Sequence, residues 1–137
     1  MTYSVRSEQT DGRLAVLEAE VAPGDGPPLH THDIQDEVLY VLDGRFRFKL
    51  GADLRDAPTR SFVFVPRGTP HCFQNVGAEP GRLLVLFTPS GIEPFFDGIA
   101  TVAQRADLAE AFRHFGRLAG MEIVGPPLAV SDPLLAG

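Results

Sequence analysis

The chain has 137 residues, a length that suits one domain around one hydrophobic core. Hydrophobic residues make up 44% and charged residues 22%, as in an ordinary folded globular protein. The net charge of −6 and the scatter of the basic residues argue against a nucleic-acid-binding face and against an anionic membrane surface as partner. The single cysteine, Cys72, excludes an internal disulfide. Because no apolar run approaches the roughly 20 residues of a membrane helix and no signal peptide is visible, we expect a cytoplasmic protein.

Up to about residue 90, the pattern is typical of an all-β fold. Short apolar or alternating runs follow one another between clusters of Gly, Pro and Asp, as in β-sandwiches and β-barrels. We predict strands over residues 14–21, 38–42, 45–50, 61–65, 71–76 and 82–87. The dipeptide Asp43-Gly44 predicts a hairpin, and residues 51–58 are predicted to form a loop.

After Pro89 the apolar period becomes helical. Residues 93–101 are predicted to form a short helix, and residues 107–118 a longer one, because Asp107 and Glu110 resemble a capping box before an apolar face. We expect a short strand at 121–124 and an irregular tail over 125–137. Without an internal repeat, the sequence predicts one domain, with a barrel core at about 10–90 and a helical extension at about 91–124.

Three histidines and one glutamate have the residue types and the spacing that a metal ion needs. His30 and His32 are two residues apart, so in an extended segment both side chains leave the same face. Glu37 opens the next predicted strand, and His71 begins a distant one. Three imidazoles and one carboxylate suit Mn, Fe, Co, Ni, Cu or Zn, and they leave open positions on the ion. The fourth histidine, His114, lies off the apolar face of its helix and is expected to be structural or exposed.

These residues lie within two motifs that resemble the conserved motifs of the cupin family. The motifs are Gly24-x5-His30-x-His32-x4-Glu37-x6-Gly44 and Pro66-x-Gly68-x2-His71-x3-Asn75. The resemblance implies a jelly roll, or double-stranded β-barrel, with one or two C-terminal helices. It also implies one divalent metal on His30, His32, Glu37 and His71, and a homodimer. The segment after the barrel is most like that of small quercetin-dioxygenase-type cupins.

One position departs from the family pattern. The second motif usually begins with a glycine six residues before Pro66, and this chain has Arg60 there. Since that glycine serves a turn, the departure concerns the conformation of the corner at residues 59–61 and leaves the metal ligands unaffected.

The alternation of side chains along the strands predicts a substrate pocket. If Glu37 and His71 point into the barrel, the side chains two and four positions away do so as well. The predicted lining is Leu39, Val41, Phe46, Phe48, Phe73, Phe95 and Phe96. The alternatives are that these side chains simply fill a small barrel, and that Phe95, Phe96 and Ile99 pack a helix on its outer surface instead of covering its mouth. Cys72 adjoins His71, so it should point out of the pocket as a packing residue.

The resemblance implies a metal-dependent enzyme, most simply a quercetinase-like dioxygenase that acts on a small apolar or aromatic metabolite. Glu37 is then both a ligand and the best candidate for a general base, because a hydrophobic wall would raise its proton affinity. A second hypothesis is a non-redox isomerase, cyclase or decarboxylase that uses the ion as a Lewis acid. A third is a barrel that binds a small molecule without catalysis.

Overall fold

The computed structural model describes residues 1–102 and 108–134. Within these residues, ten strands form two five-stranded antiparallel sheets. The strands are β1 (Thr2–Val5), β2 (Ala15–Val21), β3 (Pro28–His32), β4 (Asp36–Asp43), β5 (Arg45–Leu50), β6 (Asp53–Pro58), β7 (Phe62–Val65), β8 (His71–Asn75), β9 (Gly81–Thr88) and β10 (Met121–Pro127). Their order is β1-β2-β9-β4-β7 in the first sheet and β10-β3-β8-β5-β6 in the second.

The core lies between the two sheets, because the central strands turn every second side chain inward. Leu39 and Val41 of β4 are buried, as are Phe46 and Phe48 of β5 in the opposite sheet. Burial of each such side chain contributes about 1.5–3 kcal/mol to folding. The predicted all-β jelly roll with C-terminal helices is confirmed.

Some strands at the edges of the sheets were not predicted. Residues 51–58, expected to form a loop, contain β6, which pairs with β5 along its whole length. Only Ala57 is buried in β6, so no alternation of apolar residues marks it as a strand. The short β1 was missed as well. The predicted irregular tail is wrong over 125–131, because β10 continues to Pro127 and a helical turn follows over Leu128–Ser131. β10 is the edge strand of its sheet, where prolines are tolerated.

In the part of the chain that the structure describes, three α-helices follow β9, namely α1 (Glu93–Ile99), α2 (Leu108–Leu118) and α3 (Leu128–Ser131). The predicted start of α2 at Asp107 lies outside the described residues. The first two helices pack so closely that a side chain at Gly98 of α1 would clash with the ring of Phe115 of α2. Among the helices that the structure describes, none has the length and apolar composition needed to cross a membrane.

Arg60 occupies a corner that the family usually builds with glycine, and it does so with a φ angle of +77°. Its N–H donates to the carbonyl of Val41 at 2.8 Å, and the N–H of Ser61 donates to the carbonyl of Pro58 at 3.0 Å. The turn therefore keeps a left-handed conformation, which favours glycine, although an arginine stands there.

Candidate metal centre

The four candidate ligands meet between the two sheets. His30 and His32 on β3 and His71 on β8 come from the second sheet, and Glu37 on β4 comes from the first. None is more than 6% exposed. One ligand atom from each lies within 4.8 Å of the others. The structure thus brings together the four residues as a buried group that could hold a metal ion.

Two of the rings are oriented by backbone carbonyl groups. Nδ1 of His30 lies 2.8 Å from the carbonyl oxygen of Pro28, and Nδ1 of His71 lies 2.8 Å from that of Thr69. A carbonyl oxygen only accepts, so Nδ1 carries the proton in each ring. In the neutral ring, Nε2 is therefore the nitrogen with a free lone pair, as a metal ligand requires.

Glu37 and His71 form the closest contact in the group, with Nε2 2.7 Å from Oε1. Burial lowers the pKa of His71, but its hydrogen bond to Glu37 and the carboxylate charge outweigh this effect, so that the pKa is raised. Burial raises the pKa of Glu37, but its contacts with His32 and His71 outweigh this effect and lower it. The expected increase in the proton affinity of Glu37 is therefore wrong, because imidazoles surround the carboxylate more closely than the apolar wall does.

The contact between His32 and Glu37 is longer, with Nε2 3.4 Å from Oε1. Both ring nitrogens of His32 are buried without a hydrogen bond in the described part of the chain. Burial, followed by the proximity of His71 and His32, lowers the pKa of His30 to about 3, so this ring is neutral. A neutral His30, an unpartnered His32 and an ionised Glu37 present lone pairs to one point. This donor set fits a divalent transition metal.

A cavity of about 90 Å³ adjoins the group, and its wall is almost entirely apolar. Of the predicted lining, Phe73, Phe95 and Phe96 do contribute to this wall. The other four predicted residues lie outside it and are fully buried in the core: Leu39, Val41, Phe46 and Phe48. They point inward as expected, but they lie further along their strands, where side chains from both sheets fill the barrel.

Several lining residues were not predicted: Leu17, Val85, Phe87, Phe112 and Met121. The ring centroid of Phe87 lies 5.3 Å from that of His32, and the ring centroid of Phe112 lies 6.1 Å from that of His30. The alternation along β9 could have identified Val85 and Phe87. By contrast, Phe112 and Met121 follow the barrel strands in the chain, and no local pattern shows that they return to its mouth.

Comparison with known proteins places this arrangement in a family. The family profile described as "Cupin domain" matches residues 17–87, which is just over half of the chain. This chain is a cupin. The matched region begins in β2 and ends in β9, so it contains all four candidate ligands and both sequence motifs.

The cupin is also similar to two curated proteins. It is 28% identical over 75 residues to the tetracenomycin polyketide synthase protein TcmJ of Streptomyces glaucescens, a match that covers 55% of this chain and 50% of that protein. It is 27% identical over 85 residues to the polyketide synthase CurC of Streptomyces cyaneus, covering 62% of this chain and 55% of that protein. The match spans about half the length of each of these relatives.

Among solved structures, the cupin resembles a predicted oxalate decarboxylase from Thermotoga maritima with a TM-score of 0.61. The sequence identity is 19%, and the match covers 64% of this chain and 76% of that one. At this identity the likeness shows the fold alone.

Proposed function

We propose that this cupin binds one divalent transition metal on His30, His32, Glu37 and His71 and acts as an enzyme on a small apolar or aromatic molecule. The observation that carries the proposal is His32, a buried ring without a hydrogen-bond partner among the described residues. Burial of an unpaired polar atom costs on the order of 1–3 kcal/mol, and coordination would remove that cost. The reaction that we propose is a quercetinase-like dioxygenation.

The residues around the ligands suit this chemistry. When bound, the metal would supply a Lewis acid for a substrate oxygen, and a redox-active ion would in addition support chemistry with O₂. The lowered pKa of Glu37 keeps its carboxylate ionised at neutral pH but makes it a weak base, so it would accept a proton only from a substrate hydroxyl group whose own pKa a bound metal lowers. The rings of Phe95 and Phe96 line the cavity, and their apolar surface would help to exclude water from that proton transfer.

A non-redox reaction is the second candidate function. The names of TcmJ and CurC connect two relatives with polyketide synthesis. An isomerase, cyclase or decarboxylase that acts on an aromatic polyketide would need the same ligands and the same apolar wall. It would use Glu37 as a base without O₂.

The first test is the metal content of the purified protein beside two variants. We expect about one equivalent of Fe, Mn, Ni, Co, Cu or Zn per chain, lost in His71→Ala. The matched control is His114→Ala, since His114 is an exposed histidine of α2 and should leave the metal content unchanged. No metal in the parent protein, even after reconstitution, would contradict the proposal.

The second test separates the reactions. The loaded protein is given an aromatic enol such as a flavonol, with and without O₂, and both O₂ consumption and products are measured. Stoichiometric O₂ consumption supports the dioxygenase. Equal turnover without O₂ supports the non-redox reaction, and tight binding without turnover would leave a ligand-binding barrel.

A further inference from the structure

Two spaces adjoin each other at the mouth of the barrel. The inner cavity beside the metal ligands measures about 90 Å³, and an outer groove between α2 and β10 measures about 750 Å³. An apolar cavity of about 150 Å³ holds one benzene molecule, and pockets for drug-sized ligands span roughly 300–1,000 Å³. The inner cavity is therefore too small for one aromatic ring, whereas the outer groove has room for several.

Phe112 and Pro27 line both spaces and so form the wall between them. The ring of Phe112 packs edge-on against Phe95, with centroids 4.5 Å apart, and lies 6.1 Å from the ring of His30. Phe112 is partly buried, in contrast to the fully buried core rings. Displacement of this one ring would join the groove to the ligand group.

The outer groove has the chemistry of a site for an apolar molecule with one negative charge. Its described lining consists mostly of proline, glycine and aliphatic side chains, among them Pro28, Ile123 and Pro126. Arg113 is the one charged residue in that lining. It is exposed, and it forms no ion pair with any residue that the structure describes. A carboxylate or phenolate in the groove would pair with it.

We propose that the outer groove holds the body of an aromatic anion, that Arg113 pairs with its negative group, and that Phe112 gates the passage of its reactive end to the metal centre. The inference rests on the proposed function, because it concerns the substrate of that same centre. It adds that the substrate has at least two rings, is anionic, and is only partly enclosed by the barrel. Phe112 and Arg113 are thus specificity-determining residues.

The first measurement uses metal-free protein and 2-naphthoate, a two-ring carboxylate. The chain has no tryptophan, so the fluorescence of the naphthalene can be followed with little background. We expect saturable binding that weakens about tenfold in Arg113→Gln, as for the loss of one charge-assisted hydrogen bond. Arg117→Gln is the matched control, because Arg117 is an exposed arginine one turn further along α2 that does not line the groove.

The second measurement uses the cobalt-loaded protein, whose visible spectrum changes when an anion reaches the ion. Azide is small enough for the inner cavity. The larger probe is 6-hydroxy-2-naphthoate, whose hydroxyl group lies at the opposite end of the two rings from the carboxylate, so that the carboxylate can pair with Arg113 while the hydroxyl group reaches the ion. In Phe112→Ala we expect 6-hydroxy-2-naphthoate to reach the ion at least tenfold faster, while the rate for azide changes by less than threefold. Phe115→Ala is the control. Phe115 is on the same helix as Phe112, but it packs against Gly98 of α1 and lines neither space.

The outcomes of these two measurements distinguish a failure of the proposed gate from a failure of the proposed metal centre. If Phe112→Ala accelerates both anions equally, or if Phe115→Ala has the same effect, general loosening of α2 replaces the gate and the inference is overturned. Equal weakening of 2-naphthoate binding by both arginine variants, or no binding at all, also overturns it. If the protein binds no cobalt, the proposed function fails, while selective weakening in Arg113→Gln would still support the groove.

Discussion

His30 and His71 stand directly opposite each other across the antiparallel strands β3 and β8, with ring centroids 4.3 Å apart. Each ring is held by a hydrogen bond from Nδ1 to the carbonyl two residues earlier, that of Pro28 in β3 and that of Thr69 in the turn before β8. The backbone in and just before these strands therefore also fixes which nitrogen faces the cavity. This places the two lone pairs without any contribution from an ion.

His32 is not held in this way, and its replacement should affect the metal-free and the metal-bound protein in opposite directions. In His32→Leu, two buried nitrogens without a hydrogen bond are replaced by carbon of similar volume, and the 3.4 Å contact between Nε2 and Oε1 of Glu37 is lost. Because the second effect offsets part of the first, we expect the free energy of unfolding of the metal-free protein to rise by about 0.5–1 kcal/mol. In excess metal the parent should become the more stable protein, since a ligand at 100 times its Kd contributes about 2.7 kcal/mol.

Urea unfolding of both proteins, with and without metal, checks this prediction. The matched control is His114→Leu, which removes an exposed histidine and should shift stability by less than about 0.5 kcal/mol in both conditions. If His32→Leu destabilises the metal-free protein, the ring has a structural partner, and its position would not indicate coordination.

Three of the four candidate ligands could be placed together from the sequence because their spacing is local. His30 and His32 share one face of a five-residue strand, and Glu37 is the second residue of the next strand, after a short turn. His71 lies opposite His30 because β3 pairs with β8, and this pairing depends on the whole fold. From the sequence, only the resemblance to the family placed His71 beside the other three residues.

The pocket could be predicted only in part, because alternation gives the direction of a side chain and not its depth. Leu39 points inward as Glu37 does, yet it lies two residues further along β4, about 6.6 Å deeper. It therefore belongs to the core. Phe112 reaches the site from a helix that follows the barrel, and its place depends on the packing of α2 against α1, which no local pattern specifies.

Arg60→Gly should stabilise the protein. A non-glycine residue in the left-handed region costs roughly 1–2 kcal/mol, and Arg60 has a φ angle of +77°. Because glycine also loses more conformational entropy on folding, we expect a net gain of about 0.5–1 kcal/mol in the free energy of unfolding. Thermal or urea unfolding measures it.

The control for this prediction is Arg55→Gly, which replaces an exposed arginine of β6 that has no positive φ angle. There, the conformational entropy that glycine loses on folding dominates, since the 3.8 Å ion pair of Arg55 with Asp53 is exposed, and the variant should be destabilised by about 0.5–1 kcal/mol. Equal destabilisation by both variants would mean that the corner at Arg60 carries no strain.

The homodimer that the family resemblance implies stays a prediction, and β7 offers the surface for it. In the described residues β7 is the last strand of the first sheet, and its outward side chains Phe62 and Phe64 are 67% and 53% exposed. An edge strand with exposed aromatic rings favours association with a second copy. We expect the double variant Phe62→Ser/Phe64→Ser to sediment as a monomer where the parent is a dimer.

The control is Leu54→Ser, since Leu54 is 47% exposed on β6, the last described strand of the other sheet. A parent protein that is monomeric at every concentration tested, or a double variant that still dimerises, would rule out this surface.

Cys72 should be unreactive in the folded protein. It lies next to His71 but on the outer face of β8, fully buried, and burial raises the pKa of its thiol to about 11. Since the thiolate is the nucleophile, alkylation by iodoacetamide at pH 8 should be at least about 100-fold slower in the native than in the unfolded protein. The burial of Cys72 on the outer face of β8 agrees with a packing role for its side chain and places the thiol outside the candidate metal site.

The segment that covers Cys72 is held by Arg47, so this side chain should control the reactivity of the thiol. The guanidinium of Arg47 donates to Gln74 at 2.9 Å and to the carbonyl oxygens of Leu128 and Asp132, at the two ends of α3. In Arg47→Ala we expect α3 to detach more often and alkylation to accelerate several-fold. Arg45→Ala is the matched control, because Arg45 is an exposed arginine two residues earlier on β5. Equal rates in the two variants would show that α3 stays in place without Arg47, through its own packing and the ion pair between Lys49 and Asp132.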